Sequence, residues 1–266
     1  MKSLQMDSYN FYRSAKWEIF RDQIIVLVSR EFKLKYNATA LGFLWSLVTP
    51  ILQSCVYYFI FKAIIRFDVE NYLLFVLSGT FLWQFFCNVT LTSGATFLSN
   101  SWVFKKTSVP SFLLVLGILF TELIHLLLVI PLLLIVMCFS GVPPTWSLLL
   151  LPLALLNICL FSLGFSFIYA TLNLFFRDLE RIMQLLFQVW MFACPVMIPF
   201  ECVPEKYQPL FRINPMTPIL DGWRAIFYRP AFDWTAIGLS FVFAALFFAI
   251  GYSVYRSQES KFVELM

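Results

Sequence analysis

One pair of ionisable side chains lies inside an apolar stretch of this chain. His125 is the only histidine among 266 residues, and it follows Glu122 by three residues. On a helix, that spacing puts both side chains on one face. Ionisable groups at membrane depth often form proton relays, but such a pair can also satisfy itself and fix helix packing. Because the apolar segments nearest in sequence hold no further acid or base, we favour packing over a relay.

Polar side chains follow helical spacing in three other apolar segments. They are Ser46, Thr49, Gln53 and Tyr57 in the first segment, Gln84, Asn88 and Thr92 in the second, and Gln184 and Gln188 in a later one. Stripes of this kind commonly make hydrogen bonds between membrane helices. They also line hydrated paths for polar substrates, so the stripes alone leave two roles open.

Aromatic rings accompany these stripes. Phe, Trp and Tyr make up 19% of the chain, and the rings beside the polar residues belong to Trp45, Tyr57, Tyr58, Trp83 and Trp190. Flat apolar faces next to hydrogen-bonding groups suit sugars, because C–H faces stack on rings while hydroxyls bond to polar groups. The combination favours a path for a glycan, whereas most of the 32 phenylalanines fit lipid contact or an aromatic belt.

Several function classes lack the residues that they require. None of the nine glycines is followed by lysine, so the chain has no phosphate-binding loop, and ATP-driven work would need a partner. A membrane glycosyltransferase would need acidic motifs on a cytoplasmic loop, and the inner loops are only a few residues long. A proton-coupled carrier would need more buried ionisable groups than Glu122 and His125. We therefore expect a chain that is no enzyme, with no catalytic residues, cofactor or metal of its own.

The composition indicates the elements that must position these residues. Hydrophobic residues make up 61% of the chain and charged residues 13%, and the apolar residues come in long runs. This is the composition of a polytopic membrane protein. The net charge of +4 lies at the membrane edges and does not suggest a nucleic-acid partner. The prediction is an all-α integral membrane protein with six transmembrane helices.

The chain divides into three predicted regions. A polar leader covers 1–12, and a cytoplasmic interfacial helix covers 13–36, with Trp17, Phe20, Ile24, Leu27 and Val28 on its apolar face. The six-span region covers 37–266. Its spans are predicted at 41–64, 72–92, 111–139, 147–176, 182–199 and 234–255.

Basic residues set the predicted orientation. Most of the 19 Lys and Arg residues lie in the amino-terminal segment, around Lys105 and Lys106, in the turn 177–181 and in the tail, which should all be cytoplasmic. Both termini are then inside. Trp102 and Phe104 beside the lysines suggest a docking face for a cytosolic protein, although plain anchoring explains the lysines alone.

The long loop after the fifth predicted span carries the pattern of a short amphipathic helix. Thr217 fits an N-cap and Pro218 the first helical position, and Trp223 and Phe227 lie on an apolar face. Asp221, Arg224 and Arg229 are expected on the opposite, polar face. A helix of eleven residues is too short to cross a bilayer, so it should lie at or dip into the outer leaflet. That position suits a gate.

Three ordered motifs resemble one known family. Residues 29–50 (SREFKLKYNATALGFLWSLVTP), 171–181 (TLNLFFRDLER) and 213–219 (INPMTPI) look like the ABC type-2 permeases that export polysaccharides, the O-antigen and teichoic-acid branch. The resemblance covers the chain from about Ser14. Departures are small: Thr39 stands where serine is usual, and Glu31 where aspartate is common.

The resemblance implies a homodimer in the bacterial inner membrane, bound to two copies of a cytosolic ATPase that hold ATP and Mg²⁺, exporting a lipid-linked polysaccharide. Capsular polysaccharide, teichoic acid, lipid or drug export is the alternative. Helices around 17–28, 99–108 and 204–228 would be the interface, coupling and gate helices. The implied channel residues are Ser46, Thr49, Gln53, Tyr57, Gln184, Gln188 and Trp190; the coupling residues are Trp102, Lys105, Lys106, Arg177, Asp178 and Arg181; the gate residues are Pro218, Trp223 and Phe227.

Overall fold

The computed structural model describes residues 2–37, 42–99, 110–176, 178–228 and 233–261, with side chains from Trp17 onward except at Leu98 and Ser260. Every regular element in these ranges is helical, and they contain no strand. The predicted all-α class is therefore confirmed. The bounds of the individual helices differ from the predicted ones at several places.

The first helix, α1, runs over Lys2–Tyr36 without a break. The sequence predicted a polar leader followed by a helix from residue 13. No glycine or proline occurs between Lys2 and Tyr36, so nothing in the backbone ends the helix where the apolar pattern begins. The polarity of the side chains shows which surroundings a helix contacts. It does not show at which residue the helix begins.

Within the described ranges, five segments are long and apolar enough to cross a membrane. They are Gly42–Ile64, Tyr72–Phe97, Phe112–Phe139, Trp146–Phe175 and Trp234–Gln258. The helices within them are α2 (Trp45–Tyr58), which lies between a 3₁₀ turn and a π turn, then α3 (Tyr72–Ser99), α4 (Phe112–Phe139), α5 (Leu151–Phe175) and, at the carboxyl end, α9 (Trp234–Gln258).

The predicted fifth span, 182–199, is a shorter helix, α6, over Leu179–Phe192. Turns follow it as far as Pro199. Pro195 has no N–H to donate and disfavours helical geometry at the residue before it, which explains why the helix ends early. Two short helices come next, α7 (Gln208–Ile213) and α8 (Met216–Phe227). The six-span count is not confirmed by the helices themselves.

The helices of the bundle have defined directions. The side chains of Asn157 in α5 and Ser240 in α9 are hydrogen bonded, and further along a Cβ atom at Gly251 would overlap the carbonyl oxygen of Gly164. Contacts that advance along both helices show that α5 and α9 run parallel. The two glycines are required because the backbones touch.

Helix α3 lies at the centre and defines the two ends of the bundle. At the Tyr72 end, the Tyr72 hydroxyl donates to the carbonyl of Met197 at 2.9 Å. At the Ser99 end, Ser111 before α4 bonds to Tyr255 near the end of α9 at 2.6 Å. A cluster of buried and half-buried aromatic rings between these ends joins α3, α5 and α6. Its rings belong to Trp83, Phe86, Phe161, Phe165, Phe187 and Trp190.

Candidate functional site

The polar stripe of the first apolar segment bonds to the second. Gln53 donates to the hydroxyl of Tyr57 one turn later, and Gln84 of α3 donates to Oε1 of Gln53 at 2.8 Å. Ser46 donates to a backbone carbonyl one turn back, at 2.7 Å, and Thr49 is exposed. Gln53 therefore has the interhelical bonding that was one of its two predicted roles, while Thr49 stays on the surface of the single chain.

The predicted channel residues of α6 fall on two different sides of the helix. Gln184 and Gln188 are exposed. Trp190 is half-buried, its Nε1–H donates to Oδ1 of Asn214 at 3.1 Å, and its ring centroid lies 5.8 Å from that of Trp83. The structure thus separates Trp190 from the glutamines. Within the described ranges, no hydrogen bond joins the α2 stripe to the α6 glutamines.

Two side chains from the loop after α6 hold the irregular backbone that follows that helix. Arg224 of α8 donates to the carbonyls of Pro195 and Val196, the latter at 2.8 Å. Asn214 donates to the carbonyl of Ala193 at 2.9 Å. Non-helical backbone is tolerated at membrane depth only where protein or water satisfies its polar groups. These two side chains supply the missing donors.

Arg224 corrects one expectation, since the sequence placed it on the exposed polar face of this helix. Its exposed fraction is 4%, and its guanidinium carbon lies 3.6 Å from the centroid of the Phe75 ring. Burial lowers the pKa of Arg224 to about 10, so it is charged at neutral pH. Asp221 is exposed as expected, and Arg229 lies outside the described residues. The missed signal was the proline-rich end of the fifth segment, whose carbonyls need donors.

The predicted gate residues Pro218, Trp223 and Phe227 are all buried. Trp223 donates through Nε1–H to the carbonyl of Ser78 in α3 at 3.1 Å, so α8 packs against the Tyr72 end of the bundle. The helix begins at Met216, with Pro215 and not Thr217 at the N-cap position, and Oδ1 of Asn214 accepts the N–H of Met216 at 3.0 Å. The gating role of α8 stays a prediction.

Glu122 and His125 have partners that the sequence did not reveal. Lys35 of α1 lies 2.6 Å from Oε1 of Glu122, and Asn88 of α3 donates to Oε2 at 3.2 Å. The hydroxyl of Tyr36 lies 2.9 Å from Nε2 of His125. Glu122 and His125 are buried. The pair therefore belongs to a cluster that joins three helices, which agrees with the packing role we favoured.

The periodicity of α1 was the signal for these partners. Leu27, Glu31 and Lys35 recur every four residues, so the side of α1 that packs through Leu27 continues into the charged part of the helix. Burial raises the pKa of the Glu31 carboxyl, while Arg30 lowers it and Glu122 raises it. A raised carboxyl pKa in the packed state means that packing of α1 weakens as the pH rises through that pKa.

The predicted coupling residues are only partly described. Trp102, Lys105, Lys106 and Arg177 lie outside the described residues. Asp178 and Arg181 are exposed at the start of α6. They follow directly on the end of α5 at Phe175, so they lie at the Ser99 end of the bundle. Their role stays a prediction.

Comparison with known proteins gives one family. A family model described as "ABC-2 type transporter" matches residues 22–228. The O-antigen export system permease protein RfbA of Klebsiella pneumoniae is 30% identical over 246 residues, which cover 92% of this chain and 95% of the relative. RfbA of Myxococcus xanthus is 29% identical over 92% of this chain and 95% of its own. The polysialic acid transport protein KpsM of Escherichia coli is 22% identical over 91% and 96%.

Proposed function

Because this chain belongs to the ABC-2 type transporter family, we propose that it is the membrane-spanning subunit of an ATP-driven exporter that moves a lipid-linked polysaccharide across the bacterial inner membrane. One observation carries the proposal: the likeness to O-antigen export permeases extends over nine-tenths of both chains. The five long apolar segments among the described residues support it, since a membrane-spanning subunit needs such helices. Lipid-linked O-antigen is the preferred substrate class.

The proposed topology has six crossings and cytoplasmic termini. Helix α6 starts next to the Ser99 end, and Met197, five residues after α6 ends, is bonded to Tyr72 at the opposite end. The short helix and the irregular backbone after it would therefore cross the membrane together. This crossing returns the chain to the side where α9 must begin if it is parallel to α5. With the Ser99 end inside, both termini are cytoplasmic.

The proposed channel forms between two copies of this chain. Exposed glutamines on a membrane helix are costly in hydrocarbon and need water or another protein surface. In one chain, Gln184 and Gln188 are not covered by the rest of the protein, and Thr49 is exposed as well. A second copy that covers α2 and α6 would place these residues on a hydrated path, with Gln53 and Tyr57 beside them. Ser46 and Trp190 would then support the wall of the path from behind.

The energy source is proposed to be a separate ATPase, two copies of which would bind the dimer. The sequence has no phosphate-binding loop, so ATP and Mg²⁺ would lie on that partner. The proposed docking side is the Ser99 end, where Asp178 and Arg181 are exposed. Residues 100–109 would contribute the second contact.

Deletion of this protein, followed by its re-expression, tests the proposed function directly. Deletion in its own bacterium should leave lipid-linked polysaccharide inside the cell and remove it from the surface, and expression of the wild-type chain should restore surface glycan. The measurement compares glycan labelled on intact cells with glycan labelled after lysis. Analysis of the retained glycan also distinguishes O-antigen from a capsular polymer, the alternative that the likeness to KpsM favours. Unchanged surface glycan in the deletion would contradict the proposal.

A further inference from the structure

The carboxyl half of α1 is attached to α4 at points that advance along both helices. Leu27 packs where Gly117 has no side chain: a Cβ there would lie 3.0 Å from Leu27 Cβ. Lys35 then bonds to Glu122, and Tyr36 to His125. From Gly117 to His125 the contacts cover eight residues, about 12 Å of helix. Attachment at both ends of that distance fixes the direction of α1 as well as its position.

Glu122 makes separation of the two helices unfavourable. Its carboxylate is buried in an apolar helix. Its described ion-pair partners are Lys35 of α1 at 2.6 Å and His125 of α4 itself at 3.4 Å, so Lys35 is the partner that comes from another helix. Glu122 lies about 15 Å from the start of α4 at Phe112 and about 25 Å from its end at Phe139, well inside this apolar helix. If α1 moved away, a buried carboxylate would lose its lysine, which is costly.

We propose that Lys35 and Tyr36 are positioning residues that make α1 and α4 one rigid unit, so that a displacement of α1 at the Ser99 end is transmitted to the spans. The inference rests on the proposed function for the origin of that displacement. Asn88 extends the unit to α3, and Ser46 of α2 lines a cavity of about 30 Å³ together with Glu122 and His125. The predicted glycan-facing stripe of α2 therefore begins beside this cavity.

Spin labels measure whether the two helices move as one. In a background without the six native cysteines, Val26→Cys on α1 and Phe139→Cys at the end of α4 supply exposed attachment points. Along α4 alone, Gly117 and Phe139 are separated by about 33 Å, which suits dipolar electron spin resonance. The labelled chain is mixed with excess unlabelled chain so that distances between copies do not contribute. We expect one narrow distribution that shifts by less than about 2 Å when ATP and vanadate trap the complex with its co-purified ATPase.

Removing the pair should release α1. Lys35→Ala is expected to broaden the distribution and shift it by roughly 5 Å, about one helical turn. Lys35→Met combined with Glu122→Gln removes both charges without leaving one unpaired, and it should broaden the distance distribution equally. This double variant supplies the test if Lys35→Ala fails to fold. The reversed pair, Lys35→Glu with Glu122→Lys, should restore the narrow distribution, which a loss of general stability would not do.

Arg21→Ala is the matched control, because it removes a cation from the exposed Arg21–Asp22 pair on the same helix. It should leave the distribution unchanged. A narrow, unshifted distribution in the variant that lacks both charges, or a shift of about 5 Å in the wild-type chain on trapping, would overturn the inference. The comparison of variants needs the permease alone, so it stands even if no export is found, and failure of the proposed function is recognised separately.

Discussion

At the scale of single residues, buried polar groups decide how the apolar helices fit together. Arg224 donates to backbone carbonyls that have no helical hydrogen bond. The Glu122 carboxylate of α4 binds both Lys35 of α1 and Asn88 of α3. Apolar surface alone cannot specify one of the many arrangements in which apolar helices can pack in lipid. A buried hydrogen bond or ion pair can, because a mismatch leaves a polar group without a partner.

Arg224→Ala should destabilise the folded chain by about 3 kcal/mol, because buried carbonyls after α6 would lose their donor. Thermal unfolding in detergent measures the change. Arg224→Lys should recover only part of it, since an ammonium group does not present a planar fork to two carbonyls and a ring. Arg212→Ala, an exposed cation in the same loop, should change stability by no more than about 0.5 kcal/mol. Equal effects of the two alanine variants would show that Arg224 does not hold this backbone.

At the scale of elements, α8 is anchored by its apolar face against α3. Trp223→Ala removes its largest buried side chain, and we expect a loss of about 3–5 kcal/mol in unfolding experiments. The gate hypothesis further predicts a leak of small ions through the resting pore in reconstituted membranes. Trp234→Ala, at a tryptophan that is 58% exposed, is the control. A destabilised variant that stays tight to ions would leave α8 as an anchor and exclude the gate.

The exposed faces of α2 and α6 should line the glycan path. Cysteine at Gln53, Tyr57 or Gln188, in a background without native cysteines, should react with small water-soluble thiol reagents during ATP-driven export. Leu246→Cys on α9 should stay unreactive, because its exposed side chain belongs to a purely apolar face that suits lipid. Labelling is followed by mass shift. If all three test positions behave like Leu246, the path lies elsewhere.

At the scale of the whole molecule, the chain should be unable to hydrolyse ATP and should acquire turnover only with its ATPase. The absence of a phosphate-binding loop is the reason. Phosphate release from the rigorously purified chain and from the co-purified complex gives the comparison. If the isolated chain hydrolysed ATP as fast as the complex, the proposal that ATP is hydrolysed on a separate subunit would be wrong.

The charged turn 177–181, which includes the first residues of α6, should transmit the motion of the ATPase to the spans. Asp178→Ala with Arg181→Ala is expected to reduce export while the amount of chain in the membrane stays constant, because both side chains are exposed at the proposed docking side. Surface glycan and membrane-inserted protein are measured in the same cells. Glu205→Ala with Lys206→Ala, an exposed charged pair in the loop after α6, serves as the control. Export that survives the first double change would remove this turn from the coupling route.

The sequence by itself determined the helical class, the positions of five long apolar helices and the family. Each of these depends on local properties: apolar runs of sufficient length for α4 or α9, and ordered motifs such as the one at 171–181. Hydrophobicity is summed along the chain, so it can be computed without knowing any neighbour. It also gave the right face of α1 for Phe20, Ile24 and Leu27.

Only the tertiary structure decided the partners of the polar residues. Lys35 and Glu122 are 87 positions apart, and Arg224 serves carbonyls nearly 30 positions earlier in the chain, so neither pairing has a local signal. The sequence therefore placed Arg224 in solvent and gave Glu122 only His125 as a partner. The end of α6 at Phe192 was missed for the same reason. A helix can end inside an apolar segment only where distant side chains donate to the backbone carbonyls that lose their helical hydrogen bonds. Those side chains are brought near only in the folded molecule.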